Sequence, residues 1–385
     1  MKFHRFFIVI VALAFLTDNL SAQNDSPSKE KIPSRGYAVM EPGWKFIPHD
    51  FERRAVGDED VLIEILYSGI CHTDLHQAAS DWFQNVYPMI PGHEIVGRVK
   101  QVGKKVRNFE VGDYAGVGCM VDNTCNTCTT CKEHEEQYCQ KTIFTYGSKD
   151  VDGTVTMGGY ANNIVVTERF VVKIPPNAPL EKTAPLLCAG ITTYSPLRYN
   201  KVKQGDKVGV AGFGGLGLMA VQYAVAMGAD VTIFDPVESK RETAEKMGAV
   251  KFVNVRNAEE FEGLQDTFYI ILSTIPVAYD VAQYLNMLQK GGSLVILGIP
   301  SNKDAPSISI NQLSKRRKIY GSLIGGVKET QEMLDYSVKH NIYPEVEVIP
   351  IQKLDEAFQN LAEGKAPFRY VIDMRTLDFL EEKKP

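Results

Sequence analysis

The chain lacks both a long apolar segment and a strong excess of one charge. Its longest uninterrupted run of apolar side chains extends from Phe6 to Leu16, which is shorter than the about 20 residues that a bilayer span requires. Of its 385 residues, 42 are basic and 47 acidic, giving a formal net charge of -5. A nucleic-acid-binding protein normally carries a basic face and a high pI. We therefore predict no membrane span in the mature chain and no nucleic-acid partner.

The N-terminal segment has the pattern of a secretory signal peptide. Lys2 and Arg5 precede the apolar run, and small residues follow it at positions 21 and 22. A charged start, a short apolar run and a small-residue exit are typical of such peptides. We predict a signal peptide over 1–22 and a polar linker over 23–33; an uncleaved hydrophobic tail is the alternative. The protein would be periplasmic or secreted if the signal is used, and cytoplasmic otherwise.

The pattern of apolar residues changes along the folded part of the chain. Residues 61–67 alternate like a half-buried strand, and residues 92–118 contain β-rich segments broken by glycines, which predicts a barrel-like β-rich part. After residue 189, apolar runs alternate with helical stretches, which predicts a doubly wound parallel sheet. A last strand is predicted at 369–373. The apolar runs are 208–211, 231–234, 269–272 and 293–297, and the helical stretches include 216–227 and 279–288.

A glycine-rich turn with G-x-G-x-x-G spacing follows the first of these apolar runs. Because it lies between a predicted strand and a predicted helix, it meets the context that a dinucleotide-binding fingerprint requires. The first glycine permits the tight turn, the second lets the backbone approach the pyrophosphate, and the third lets helix and strand pack closely. A glycine-rich turn without a ligand is the alternative. The turn consists of Gly212, Phe213, Gly214, Gly215, Leu216 and Gly217.

Asp235 ends the second apolar run, where a ribose-binding carboxylate is expected. A carboxylate about 20 residues beyond the first glycine can accept hydrogen bonds from the adenosine ribose hydroxyls, and it would repel a 2′-phosphate. Asp235 therefore favours NAD over NADP. Lys240 and Arg241 follow closely and could pair with a 2′-phosphate, or they could be surface charges of a helix, so NADP stays open.

Four of the seven cysteines are closely spaced, with two, two and seven residues between them. Four thiolates at such intervals can close a tetrahedron around one ion at about 2.3 Å, and tetrahedral sulfur coordination selects zinc or an iron–sulfur cluster. Because such a set leaves no open position, the predicted site is structural. Two disulfides are the alternative, since an exported chain often contains them. The four are Cys125, Cys128, Cys131 and Cys139.

A second set of potential ligands, Cys71, His93 and Cys188, is dispersed along the chain. Cys71 follows a predicted strand, His93 follows a proline turn, and Cys188 directly precedes the predicted dinucleotide domain. Three protein ligands and one open position form the pattern of a catalytic zinc site, and two cysteines with one histidine are a known version. Spacing alone does not select these residues, because a single cysteine or histidine is more often part of a core.

Several longer segments make the chain resemble the zinc-dependent medium-chain alcohol dehydrogenases, and among them the cinnamyl alcohol dehydrogenase-like branch. The resemblance covers residues from about 34 to 373. The segments are GICHTDLHQ (Gly69–Gln77), YPMIPGHEIVGRV (Tyr87–Val99), VGDYAGVGCMVDNTC (Val111–Cys125), the four-cysteine lobe, APLLCAGITTYSPL (Ala184–Leu197), GFGGLG (Gly212–Gly217) and GSLIGG (Gly321–Gly326).

The resemblance implies a fold of two domains and two zinc ions per chain. A GroES-like β-rich catalytic domain would span 34–187 and contain the structural zinc lobe at 119–140. A Rossmann domain with a doubly wound parallel sheet would span 188–322, and residues 323–385 would return to the catalytic domain. The family also suggests a homodimer.

The resemblance assigns Cys71, His93 and Cys188 to the catalytic zinc. Glu94 matches a carboxylate that can approach this metal, and Asp74 matches a residue that orients the histidine ligand.

Other matches imply a proton route, a cofactor contact and a substrate pocket. Thr73 matches the hydroxyl that takes the substrate proton, and His76 matches the residue that passes it on. Arg369 matches an arginine near the cofactor phosphates. A pocket suited to bulky apolar or aromatic substrates would be lined by Trp82, Cys119 and Phe144.

The resemblance thus implies an oxidoreductase that interconverts primary alcohols and aldehydes by hydride transfer with NAD or NADP. The branch commonly prefers NADP and has small hydroxyl residues at the position of Asp235, so this residue departs from the branch. A non-catalytic, zinc-bound binding protein and a zinc-free reductase are the alternatives. The complete ligand sets argue against both.

Overall fold

A computed structural model describes residues 30–123, 125–299, 308–366 and 369–377. The predicted signal peptide and most of the predicted linker lie outside these residues. Within them, the longest helix has 14 residues, and none is long and apolar enough to cross a membrane.

The described chain folds into short strands and helices in the following order. The strands are β1 (Ile32–Val39), β2 (Phe46–Arg53), β3 (Asp60–Gly69), β4 (Ile95–Val102), β5 (Tyr114–Val117), β6 (Met120–Asn123), β7 (Thr142–Phe144), β8 (Asn163–Thr167), β9 (Val172–Lys173), β10 (Lys207–Ala211), β11 (Asp230–Asp235), β12 (Lys251–Asn254), β13 (Phe268–Ser273), β14 (Leu288–Ile296), β15 (Lys318–Gly321), β16 (Val346–Pro350) and β17 (Arg369–Asp373). The α-helices are α1 (His72–Ala79), α2 (Thr129–Lys132), α3 (Leu180–Thr183), α4 (Ala189–Tyr199), α5 (Gly215–Ala226), α6 (Arg241–Lys246), α7 (Val281–Met287), α8 (Val327–His340) and α9 (Leu354–Ala362).

The β-rich part is built around β3. Its residues Val61, Ile63 and Ile65 are buried because side chains alternate between the two faces of a strand. One edge of β3 pairs with β4, and the other pairs with β8 and then with β17. The sheet has the order β16-β17-β3-β4-β5-β9. The C-terminal strand thus returns to the first part of the chain.

The dinucleotide-binding part is a six-stranded parallel sheet in the order β12-β11-β10-β13-β14-β15. This is the strand order of a doubly wound fold, in which the order reverses beside β10 and ligands bind at the carboxyl ends of the strands. The predicted fold class, a Rossmann sheet plus a β-rich domain, is confirmed. The glycine-rich turn follows β10 directly and lies at this reversal point.

Element boundaries differ most from the sequence prediction at β14 and at β1. The helix predicted to reach Leu288 ends at Met287, and β14 begins at Leu288 rather than at Ser293. Leu288 pairs with Phe268, and the register then shifts before Ser293 pairs with Ile270. An irregular strand of this kind interrupts the apolar pattern that would reveal it. Likewise, β1 begins at Ile32, inside the predicted linker, because it pairs along its whole length with β2.

The segment before α4 joins the two parts of the molecule. The 3-10 turn Ala184–Leu187 contacts β3, β4 and β5, and all four of its residues are buried. Cys188 follows it and precedes α4, which packs against α5 of the dinucleotide-binding part. Cys188 therefore lies at the junction between the β-rich part and the part that carries the glycine-rich turn.

Candidate active site

The potential ligands Cys71, His93 and Cys188, which are dispersed in the sequence, lie close together in the structure. Cys71 follows β3 and precedes α1, His93 and Glu94 precede β4, and Cys188 precedes α4. The potential ligand atoms of these four residues all lie within 4.8 Å of one another. The Sγ atoms of Cys71 and Cys188 are 3.9 Å apart, and Nε2 of His93 is 3.3 Å from Sγ of Cys188.

These distances fit a tetrahedral metal ion. Zinc–sulfur bonds of about 2.3 Å place two thiolate ligands roughly 3.8 Å apart in a tetrahedron. Two thiols, one imidazole and a nearby carboxylate are donors that suit zinc. Within the described residues, the carboxylate oxygen Oε2 of Glu94 is buried and has no hydrogen-bond partner, as expected for an atom that faces a cation.

Asp74 is fully buried in the first turn of α1 and binds the edge of the His93 ring. Its Oδ1 lies 3.0 Å from Nδ1 of His93, so Nδ1 donates and Nε2 presents its lone pair to the thiols. The same carboxylate accepts hydrogen bonds from the hydroxyls of Tyr146 and Tyr160 at 2.8 and 2.9 Å. Burial, followed by the nearby Asp74 charge, raises the pKa of both tyrosines well above the ordinary value, so both remain donors.

Arg369 forms a buried ion pair with Glu94. Burial raises the pKa of Glu94 to about 7, against the opposing effect of the Arg369 charge. The Arg369 side chain also lies over Gly215, since a Cβ atom built there would be 3.1 Å from its Cγ. Arg369 was expected near the cofactor phosphates; it lies between the glycine-rich turn and the cluster of potential metal ligands.

His76 on α1 has an acidic partner that the sequence motifs do not include. Its Nδ1 is 2.8 Å from a carboxylate oxygen of Asp81, and its ring lies 4.8 Å from that of Trp82, centroid to centroid. Thr73 lies on the first turn of the same helix. A polar residue soon after the helix end is a weak sequence signal, because it is also a common turn residue.

The predicted pocket residues occupy different surroundings. Trp82 is half-buried and packs on His76, whereas Phe144 is 39% exposed. Cys119 is close to the ligand cluster: a hydrogen bond with Cys188 is the largest cause that lowers its pKa. The structure thus places Cys119 beside Cys188 and Trp82 beside His76, with Phe144 at the end of β7 and exposed to solvent.

The four-cysteine lobe forms a second cluster between β6 and β7. All four ligand atoms lie within 4.8 Å of one another, and Sγ of Cys128 is 3.4 Å from Cys131 and 3.7 Å from Cys139. Every cysteine of the chain is free, so the disulfide alternative is not supported. Near the lobe, buried Glu136 accepts a hydrogen bond from the backbone N–H of Val327 at the start of α8.

The glycines of the glycine-rich turn differ in what a side chain would meet at each position. Gly212 has a φ of 90°, which side chains rarely tolerate. A Cβ atom on Gly217 would lie 2.0 Å from the carbonyl oxygen of Gly212, whereas one on Gly214 would meet nothing within 4 Å. The cofactor-free chain therefore gives no packing reason for a glycine at 214.

Asp235 ends β11 under the glycine-rich turn and is buried. Its carboxylate accepts hydrogen bonds from the backbone N–H groups of Phe213 and Val237 at 2.7 and 2.9 Å. Nζ of Lys240 lies 3.2 Å from the same carboxylate. Asp235 is thus fixed next to the turn, and its nearest cation is Lys240.

Arg241 is occupied by the surface of its own helix region. It pairs with Glu238 and Glu260 and donates to the carbonyl oxygen of Phe252. Of the two basic residues that could meet a 2′-phosphate, Lys240 lies next to Asp235 and Arg241 is held by two carboxylates.

Comparisons with known proteins agree with this arrangement. Residues 57–176 match the family model of the alcohol dehydrogenase GroES-like domain, and residues 215–339 match that of the zinc-binding dehydrogenases. The chain is 46% identical over 345 residues to a probable formaldehyde dehydrogenase, AdhA, of Bacillus subtilis (strain 168), covering 89% of this chain and 98% of that protein. It is 44% identical over 353 residues to cinnamyl alcohol dehydrogenase 2 of Rauvolfia serpentina, covering 91% and 97%. The crystal structure of CAD from Helicobacter pylori complexed with NADP(H) is similar with a TM-score of 0.85 at 53% identity, covering 90% of this chain and 99% of that one.

Proposed function

This chain belongs to the zinc-dependent medium-chain alcohol dehydrogenases, in their cinnamyl alcohol dehydrogenase-like branch, and we propose that it interconverts primary alcohols and aldehydes with NAD(P). The observation that carries the proposal is the Cys71–His93–Cys188 cluster, which lies beside the glycine-rich turn and is joined to it through Arg369. Cys119 beside Cys188 and Trp82 beside His76 support our proposal that the pocket takes bulky apolar or aromatic substrates.

Different residues of the chain would hold the metal and orient its ligand. Zinc held by Cys71, His93 and Cys188 would act as a Lewis acid on the substrate oxygen, and the nicotinamide would exchange a hydride with the substrate carbon. Asp74 keeps Nδ1 of His93 as the donor, so that Nε2 is available as a ligand. The protein part of catalysis is then to fix the metal and the cofactor against one another.

A proton route follows from the residues of α1. Thr73 is proposed to exchange a proton with the substrate oxygen, and His76 to pass it towards solvent. Asp81 accepts from Nδ1 of His76, which leaves Nε2 of that ring facing away from Asp81. Asp81 can stabilise the protonated imidazole while it carries the proton.

We assign a second, structural zinc ion to the four-cysteine lobe. Its four thiols form a closed set with sulfur–sulfur distances of 3.4 and 3.7 Å around Cys128, close to the roughly 3.8 Å of a tetrahedral zinc site. No ligand position is left for a substrate, so the role of this ion is to hold the lobe between β6 and β7.

We also propose that the enzyme prefers NAD to NADP. The Asp235 carboxylate is fixed beside the glycine-rich turn, where it can accept from the ribose hydroxyls and would repel a 2′-phosphate. Arg241 is held by Glu238 and Glu260, which leaves Lys240 as the nearest cation that could meet such a phosphate. The similar Helicobacter pylori enzyme was crystallised with NADP(H), so the preference needs a direct test.

Two further proposals concern the assembly and location of the protein. A homodimer is supported by β15, which forms one end of the parallel sheet, and by Ile310, which is 78% exposed in the segment before it. Periplasmic or secreted location rests on residues 1–22 alone.

The test is to express residues 23–385 with zinc and follow the oxidation of NADH and NADPH separately, with cinnamaldehyde and aliphatic aldehydes. Turnover that is lost in Cys71→Ala, together with loss of one of two bound zinc ions, is the expected result. The Cys128→Ser variant, prepared with zinc, is the control, because it should lose only the zinc ion of the four-cysteine lobe. Folded, zinc-loaded wild type that turns over no aldehyde with either cofactor would contradict the proposal and favour a non-catalytic binding protein.

A further inference from the structure

Two tyrosines of the segment between β7 and β8 bind the carboxylate that orients His93. We propose that Tyr146 and Tyr160 are positioning residues of the metal site, and that their hydroxyls fix the Asp74 carboxylate and through it the direction of the His93 ligand. This inference rests on the proposed zinc site at Cys71, His93 and Cys188.

The carboxylate of Asp74 is saturated by five donors. Oδ1 accepts from Nδ1 of His93, the backbone N–H of Gly92 and the hydroxyl of Tyr146, at 3.0, 3.0 and 2.8 Å. Oδ2 accepts from the backbone N–H of Cys71 and the hydroxyl of Tyr160, at 3.0 and 2.9 Å. A carboxylate offers about four lone-pair sites, so this network leaves none free and determines its orientation.

Each carboxylate oxygen has one phenol and at least one backbone donor. The backbone donors belong to Cys71 and to Gly92, which precedes His93, so Asp74 ties together the two segments that carry these ligands. With only these two backbone donors, the Asp74 side chain could still rotate about its own bonds. The tyrosine hydroxyls restrict this rotation, because they belong to a different segment of the fold.

The two tyrosines are themselves well anchored. Tyr160 is fully buried, its ring packs edge-on against Phe46 and Phe358, and its backbone bonds to Pro91 and Tyr37. A Cβ atom on Gly92 would lie 2.7 Å from its ring, so Tyr160 also supports the turn that carries His93.

Tyr146 reaches the same carboxylate from the segment after β7. Its ring lies 5.9 Å from the His93 ring, centroid to centroid. It shares Oδ1 with His93, whereas Tyr160 binds Oδ2. Loss of the Tyr146 hydroxyl should therefore disturb His93 more than loss of the Tyr160 hydroxyl.

The experiment compares Tyr146→Phe and Tyr160→Phe with a matched control, Tyr269→Phe. Tyr269 donates its hydroxyl to the carbonyl oxygen of Asn200 at 2.7 Å in the dinucleotide-binding part, so its variant removes a comparable hydrogen bond elsewhere. The first readout is zinc release from the full folded protein to a chromogenic chelator. Removing hydrogen-bond partners of a metal ligand typically costs about 10–100-fold in metal affinity. Tyr146 and Tyr160 act one hydrogen bond further out, through Asp74, so we expect Tyr146→Phe to speed release from the Cys71 site by about tenfold, the lower end of that range, Tyr160→Phe by less, and Tyr269→Phe not at all, with release from the four-cysteine lobe unchanged in all three.

The second readout is the visible spectrum of the protein with cobalt(II) in place of zinc, which reports ligand geometry and does not depend on turnover. A shifted ligand-field band is expected in the Tyr146 and Tyr160 variants only. In an Asp74→Asn background, adding Tyr146→Phe should have little further effect, because the hydroxyl acts through Asp74.

The outcomes separate this inference from the function on which it rests. Wild-type release and an unchanged cobalt spectrum in both phenylalanine variants would overturn the role of the tyrosines alone. If the Cys71→Ala variant bound as much zinc as the wild type, the zinc site itself would be overturned, and the tyrosine role with it.

Discussion

The glycine-rich turn allows the effect of packing to be separated from the effect of cofactor binding. A Cβ atom on residue 217 would lie 2.0 Å from the Gly212 carbonyl oxygen, and one on residue 214 would meet nothing within 4 Å. An ordinary contact is at least about 3.4 Å, so Gly217→Ala must move α5 away from the Gly212 carbonyl by roughly 1.4 Å. Gly214→Ala requires no movement in the cofactor-free protein.

The two variants should therefore fail in different ways. Overpacking of this kind costs about 1–3 kcal/mol, so Gly217→Ala should lower the free energy of unfolding by that amount. It should also reduce kcat/KM by about 100-fold, since a displacement of roughly 1 Å at a binding site can have that effect. Gly214→Ala should leave stability equal or raise it by up to about 1 kcal/mol, because alanine restricts the unfolded chain.

Gly214→Ala should instead impair cofactor binding. If the backbone at 214 approaches the pyrophosphate, a methyl group there should weaken NADH binding by about 10–100-fold, taking a steric cost of about 1–3 kcal/mol. Thermal unfolding of cofactor-free, zinc-loaded protein measures the first property, and NADH fluorescence titration measures the second. A Gly214→Ala protein that binds NADH and NADPH like the wild type would refute the assignment of this turn, and a fully stable Gly217→Ala protein would refute the packing argument.

Three other predictions address the cofactor, the buried ion pair and the lobe. Asp235→Ser should move the ratio of kcat/KM for NADPH over NADH upwards by at least about tenfold, because like charges placed together cost several kcal/mol; an unchanged ratio would mean that this carboxylate does not face the ribose. Arg369→Met leaves the fully buried Glu94 without its partner; because the pKa of Glu94 is already about 7, this carboxyl should take up a proton, so the cost should stay below the about 3–5 kcal/mol of a buried pair that is broken with one charge retained. Melting temperature should therefore fall and should partly recover in the double variant with Glu94→Gln, whereas no recovery would argue that the pair is not the cause. Cys128→Ser should release one zinc ion and lower the melting temperature while the Cys71 site keeps its metal, and loss of both ions would contradict independent sites.

The export prediction has a simple check. If residues 1–22 are a signal peptide, the mature protein should begin at Gln23 and be recovered outside the cytosol. N-terminal sequencing after fractionation measures both. Recovery of only the full-length chain from the cytosol would contradict the prediction.

Features whose residues are close in sequence were the ones that the sequence could predict. The cysteines of the lobe and the glycines of the turn follow a fixed local spacing, since one metal ion or one strand-to-helix turn imposes it. The alternation of strands and helices after residue 189 predicted the parallel sheet, because each element shows its own pattern over a short stretch of sequence. The irregular start of β14 at Leu288 escaped prediction because the register shift next to it breaks the periodic pattern.

The dispersed ligands needed more than spacing. Cys71 and Cys188 are 117 positions apart, and only the resemblance to a family of dehydrogenases singled them out. The structure brings Cys71 and His93 together because β3 and β4 are antiparallel neighbours, so that the end of one strand lies beside the start of the other.

Contacts that depend on tertiary packing could not be predicted in this way. Tyr146 and Tyr160 lie 72 and 86 positions after Asp74, and a tyrosine in a β-rich segment is ordinarily a core residue. The sequence by itself determined the parallel sheet, the four-cysteine cluster and the glycine-rich turn, because local geometry sets their patterns. Only the tertiary structure decided that Arg369 pairs with Glu94 and that two phenols saturate Asp74, because strand pairing brings those residues together across the fold.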